Sequence, residues 1–69
     1  MDIEKLLELV KTIRVSMSVS QSEMAKRVGM STSFYGMIER GETNVTVKNL
    51  ENIANALKLN IIDLFNFVI

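Results

Sequence analysis

Apolar residues recur three and four positions apart along the chain, with polar and charged residues between them, which is the spacing of amphipathic helices. Ile3, Leu6, Val10, Ile13 and Met17 fall at that spacing while Glu4, Lys5, Glu8 and Lys11 fall elsewhere, so a first helix is expected from about Asp2 to Met17 with one face in the core. Ser20-Gln21-Ser22-Glu23 reads as a capping box opening a second helix over Gln21 to Val28, whose inward positions are Met24, Ala25 and Val28. Gly29 ends it, as a glycine in the left-handed C-terminal position commonly does. Ser31 is placed to cap a third helix reaching Arg40 before Gly41 stops it. Phe34, Tyr35 and Ile38 are expected on its core face, and Thr32, Ser33, Gly36, Met37 and Arg40 on the opposite face. Thr46 caps a fourth helix with the stripe Leu50, Ile53, Ala54 and Leu57, and Asn60 with Asp63 three residues later starts a fifth.

Composition agrees with this picture and narrows it. The 69 residues suffice for one small domain over positions 1–69, and the absence of proline with only three glycines favours helices joined by brief turns, giving an all-α, five-helix expectation. There is no cysteine and no histidine, which removes disulfides, thiolate or imidazole metal sites and the usual nucleophile and base pairs. No enzyme, metal, cofactor or small-molecule ligand is therefore expected. Asp2 and Glu4 near the start argue against a basic leader, and no apolar run approaches membrane-spanning length, so a cytoplasmic location without membrane contact is expected. Eight basic and eight acidic side chains cancel, which argues mildly against a partner gripped by bulk charge. Lys11, Arg14, Lys26, Arg27 and Arg40 nevertheless precede residue 41, so any basic surface lies in the front half.

The stretch QSEMAKRVGMSTSFYGMIERG, residues 21 to 41, resembles the helix-turn-helix of the lambda-repressor and Cro-like regulators, also called the XRE family. The resemblance covers nearly the whole chain: Lys11-x-x-Arg14 at the end of the first helix, VSQSEMAKRVGMS, IERG at Ile38 to Gly41, TVKNLENIANALKLN and the closing IIDLF. It implies double-stranded DNA as partner, with the motif at about 21–40 and the third helix in the major groove. Position by position it implies that Gln21 clamps a phosphate, that Thr32, Ser33 and Met37 face base edges, and that Thr43, Asn44 and Thr46 touch the backbone from the loop, Thr46 being equally readable as a cap. Arg40 is expected to reach phosphate from the last turn, and Arg14 to pair with Glu39.

Two departures from the family pattern bear on specificity. Many members carry Arg where this chain has Thr32 and Met37, and the remaining methyl groups and hydroxyls suit thymine, so an A·T-rich site is expected. Gly36 inside a helix costs about 1 kcal/mol relative to Ala, and its missing side chain either lets the backbone approach DNA or is a tolerated small residue.

The end of the chain, IIDLFNFVI at 61–69, holds seven apolar residues in nine. Ile61, Leu64 and Phe65 match core positions, which leaves Ile62, Phe67, Val68 and Ile69 as an expected dimer interface placing two recognition helices about 34 Å apart on a pseudo-palindromic operator. The leading expectation is a homodimeric transcriptional regulator, either a phage-type repressor or a controller protein of a restriction-modification system. The second is an antitoxin-type protein whose main work is binding a protein partner.

Overall fold

The structure, a computed structural model, describes residues 3–68, with the side chains of residues 67 and 68 left outside the description. The order is α1 (Ile3–Ser16), α2 (Gln21–Val28), α3 (Thr32–Glu39), α4 (Val47–Ala56) and α5 (Ile61–Val68). Each start after α1 is set by a side-chain oxygen that accepts from an otherwise orphaned backbone N–H. Ser20 Oγ accepts from Glu23 at 3.0 Å, Ser31 Oγ from Phe34 at 3.1 Å, Thr46 Oγ1 from Asn49 at 3.0 Å and Asn60 Oδ1 from Ile62 at 2.8 Å. The capping box at Ser20 is formed on one side only, because the Glu23 carboxylate turns to Arg27 Nε at 3.3 Å, one helical turn on.

The ends of α1 to α4 share one device. A residue with left-handed backbone donates its N–H back across the last turn, and the following residue donates to the carbonyl one position earlier. The left-handed residues are Ser18 (φ 59°), Gly29 (72°), Gly41 (74°) and Lys58 (59°). Their successors Val19, Met30, Glu42 and Leu59 donate to Arg14, Ala25, Met37 and Ala54 at 2.8–3.1 Å. Val19 is buried and Met30 and Leu59 are half-buried, so three of the four reversals also turn an apolar side chain onto the core.

The core draws on every helix: Leu6, Leu7 and Val10 from α1, Met24 and Ala25 from α2, Tyr35 and Ile38 from α3, Leu50, Ile53 and Ala54 from α4 with Leu57 just beyond it, and Leu64 from α5. Helix α2 packs on α3 and α4, and α1 packs on α3 and α5. Ala25 is 1% exposed where α2 packs on its neighbours, so a larger side chain there would overfill the core.

Three expected core positions are corrected. Met17 is 45% exposed, because α1 ends at Ser16 and the chain reverses at Ser18, so that Val19 and not Met17 turns onto the core. The inward face of α1 runs through Leu6, Leu7, Val10 and Arg14, which also leaves Ile3 exposed at its rim. Phe34 is 39% exposed, since the buried face of α3 is centred on Tyr35, Ile38 and Glu39 and a step of one residue turns a side chain by about 100° away from it.

Candidate nucleic-acid interface

The geometry starts from the turn between α2 and α3. Gly29 takes the left-handed backbone that only glycine adopts without steric cost, and Ser31 two residues later opens α3, so the two helices are joined by three residues and packed through Met24, Ala25, Tyr35 and Ile38. What α3 does not bury, it presents outward: Thr32, Ser33 and Met37 are exposed, as is Arg40 at its end. In the following loop Asn44 is exposed and Thr43 is half-buried. Thr46 is committed as the cap of α4, its oxygen occupied by the Asn49 N–H and its hydroxyl proton left to donate.

Behind this face lies a buried polar cluster that fixes its edge. Arg14 meets Glu39 in a two-pronged contact, Nε to Oε2 and Nη2 to Oε1, both at 2.9 Å, with the two side chains only 8% and 2% exposed. Arg14 Nη1 also donates to the Val19 carbonyl at 2.6 Å, tying α1 to the chain that enters α2. Burial alone pushes the Glu39 carboxyl up, but the hydrogen bonds it accepts from the Arg14 guanidinium and the Gln21 amide hold it below the usual carboxylate range. The hydrogen-bonded carboxylate raises the already high value of Arg14 against the opposing effect of burial. The Tyr35 hydroxyl is buried without a hydrogen-bond partner, and burial first, then the adjacent Glu39 charge, push it well above its ordinary value.

Gln21 joins the cluster from the site side. Its Nε2 donates to Glu39 Oε1 at 3.1 Å, so the first residue of α2 is oriented by the same carboxylate that anchors Arg14. Gln21, Arg40 and Gly41 share the lining of an open groove of about 490 Å³ with Lys11 and three acidic residues, Glu4, Glu8 and Glu39. The residues expected at the phosphate edge, Gln21 and Arg40, thus share the lining of one groove, while the Arg40 guanidinium itself lies back over Gly36 on α3.

Gly36 requires a correction. It does not expose open backbone: it is buried, and a Cβ at this position would lie 2.9 Å from Arg40 Nη1. The room left by the missing side chain is filled by the Arg40 guanidinium, whose Nε donates to Glu42 Oε1 at 2.8 Å. Sequence reasoning did not single out Glu42, although an acid two residues after Arg40 was the signal available. Of the four residues expected at a dimer interface, Ile62 is 62% exposed on α5, and the side chains of Phe67 and Val68 and all of Ile69 lie outside the described residues.

No group of three or more acidic residues with metal-holding geometry occurs among the described residues, and no helix there is long and apolar enough to cross a membrane. Two short helices joined by a glycine turn, with a small polar face on the second and a capped support helix behind, define a helix-turn-helix domain of the lambda-repressor type. The chain belongs to that helix-turn-helix family, also called XRE, whose family model matches residues 10–64. Over 62 residues it is 36% identical to the control protein C.SmaI of Serratia marcescens, covering 88% of this chain and 74% of that protein. It is 30% identical over 59 residues to the control protein C.MunI of a Mycoplasma species, 86% and 80% covered. It is also 35% identical over 60 residues to the transcriptional repressor RstR of the cryptic phage CTXphi of Vibrio cholerae, where the match spans 87% of this chain and 54% of the repressor. No solved structure matches the chain. Two of these relatives are named as control proteins and the third as a transcriptional repressor.

Proposed function

We propose that the chain is a sequence-specific transcriptional regulator that binds a pseudo-palindromic operator as a homodimer, with α3 in the major groove. The observation that carries this reading is the outward face of Thr32, Ser33, Met37 and Arg40, set beside a Gln21 amide that Glu39 holds at the start of α2. In this reading Gln21 and the N–H groups of the first turn of α2 fix register on a phosphate. Thr32 and Met37 place methyl groups against thymine, Ser33 adds a hydroxyl, and Thr43, Asn44 and Thr46 follow the backbone. The exposed Ile62 with residues 67–69 forms the dimer contact. Control proteins such as C.SmaI and C.MunI stand among its relatives beside a phage repressor, RstR, so a restriction-modification controller and a phage-type repressor both fit this reading.

The second reading, an antitoxin-type protein with a protein partner, draws on the zero net charge and on the pairing of exposed Arg27 and Arg40 with Glu23 and Glu42. Selection of binding sites from random duplexes separates the two. Enrichment of an A·T-rich inverted repeat with half-site centres one helical turn apart is expected, and a failure to enrich any sequence defeats the regulator. Sedimentation of the protein at high micromolar concentration tests the dimer, which a monomer under those conditions rules out.

A further inference from the structure

A face that offers only hydroxyls and a thioether reads DNA weakly, yet the structure places a guanidinium in the middle of it. On a helix of 3.6 residues per turn, positions 32, 33, 36, 37 and 40 share one side, and position 36 lies near its centre. Long side chains on a helix lean back toward its N-terminus, and Arg40 does so, so that its guanidinium rests over Gly36 rather than extending from the last turn. Any side chain at position 36 would meet it: a Cβ would already come within 2.9 Å of Nη1. The Glu42 carboxylate accepts from Nε at 2.8 Å, with both side chains about half exposed at 54% and 50%. Glycine supplies the seat, and Glu42 supplies the brace.

The chemistry of this arrangement suits a base edge better than a phosphate. Only Nε is engaged by Glu42, so both Nη nitrogens keep hydrogens to donate. A carboxylate within hydrogen-bond distance cancels most of the net charge seen by a distant anion and would itself face an approaching phosphate with like charge. A neutral pair of acceptors loses nothing by that cancellation. Guanine O6 and N7 in the major groove are such a pair, and a planar fork held in place is the geometry that recognises them.

We propose that Arg40, seated on Gly36 and braced by Glu42, is the specificity-determining side chain of this protein and reads a guanine in each half-site. The proposal rests on the DNA-binding reading above and assigns Arg40 to a base in place of the phosphate the sequence suggested for it.

Site selection with the full chain and with Arg40→Ala, Arg40→Lys and Gly36→Ala tests it, followed by affinity and salt titrations on the selected duplex. The wild-type protein is expected to require one G·C pair per half-site within an otherwise A·T-rich sequence, and changing one of those guanines is expected to weaken binding roughly 5- to 150-fold. Arg40→Ala should lose the preference at that position and keep it elsewhere. Arg40→Lys should retain the salt slope while losing most of the discrimination, and Gly36→Ala should do likewise by displacing the guanidinium without removing it, with circular dichroism reporting an intact fold. Uniform weakening on all sequences by Arg40→Ala, with a salt slope reduced by about one per subunit, would make Arg40 a phosphate contact and overturn the proposal. A selected site in which no position responds to Arg40→Ala overturns it equally while leaving the regulator standing. Absence of any enrichment by the wild-type protein overturns both.

Discussion

Replacing Glu39 by Gln removes one charge from the best-buried ion pair among the described residues and keeps the shape of the side chain. Arg14 then remains 7% exposed with its cation uncompensated, facing an amide that accepts through one oxygen where the carboxylate accepted through two. Breaking a buried pair from one side costs about 3–5 kcal/mol. The surviving bond from Arg14 Nη1 to the Val19 carbonyl, 2.6 Å long, puts this case toward the lower figure. A domain of this length has about 3.5–10 kcal/mol of stability in total, so a loss of about 3 kcal/mol removes roughly 30% or more of it. Urea denaturation followed by circular dichroism is the assay, and the thermal midpoint is expected to fall by at least ~10 °C. A companion double variant, Arg14→Met with Glu39→Leu, distinguishes the ion pair from simple loss of packing. It should recover much of the lost stability, though not all, since the Gln21 amide and the Val19 carbonyl lose their partners. A Glu39→Gln variant within about 1 kcal/mol of wild type, or a double variant less stable than the sum of its singles, would refute the assignment of this pair as the bolt between α1 and α3.

Four further outcomes follow from the structure. Gly36→Ala should raise stability by roughly 0.5–1 kcal/mol, since the position is mid-helix and the only close neighbour of the new Cβ is the far end of the Arg40 side chain, which swings away at little cost, and a lowered urea midpoint would contradict that. Stability should fall at both pH extremes. The lowered Glu39 carboxyl contributes fully above about pH 4.3 and is lost as pH falls through its folded value, while the raised Tyr35 phenol contributes fully below about pH 10 and is lost as pH rises above it. Tyr35→Phe should abolish the alkaline arm and leave neutral-pH stability equal or higher, because the hydroxyl it removes has no partner, and a titration still showing the alkaline loss would assign it elsewhere. Lys58→Gly should stabilise by roughly 0.5–1 kcal/mol, the left-handed strain of an L-residue outweighing the extra chain entropy of glycine, and an unchanged urea midpoint would count against that balance.

The caps were legible because Ser20, Ser31, Thr46 and Asn60 each carry an oxygen on a short side chain just before an apolar run, a local cause with a local signal. Gly29 and Gly41 were legible for the same reason. Ser18 and Lys58 reverse the chain in the same way and were not, since each turn is enforced by the next residue, Val19 or Leu59, turning inward, and no feature of a serine or a lysine announces left-handed backbone. The face of α1 was misplaced because its fourth inward position is a charge: Arg14 is buried only because Glu39, 25 residues away, meets it, so apolar spacing selected Met17 in its stead. At the candidate interface the sequence identified which residues share the α3 face, a matter of period alone. That Gly36 is roofed by Arg40 depends on where one flexible side chain comes to rest, which spacing does not encode.

A chain with no net charge whose exposed Arg27 and Arg40 are paired raises the question of how it would find DNA at all. The phosphate backbone attracts through counterion release, a contribution that grows with the number of protein cations facing it and is blind to sequence. Bracing Arg40 with Glu42 and pairing Arg27 with Glu23 reduces that blind attraction. In the proposed reading, amide and hydroxyl donors such as Gln21, Thr43 and Asn44 would still register the backbone, but only at contact distance. Affinity for random sequence therefore falls more than affinity for the operator, and what governs occupancy among the millions of competing sites of a genome is the ratio of the two. A shallow salt slope is then the expected companion of a sharp site preference in this protein, and the measurement that distinguishes a regulator of this kind from a protein that only resembles one is the discrimination between operator and random duplex, not the strength of binding to either.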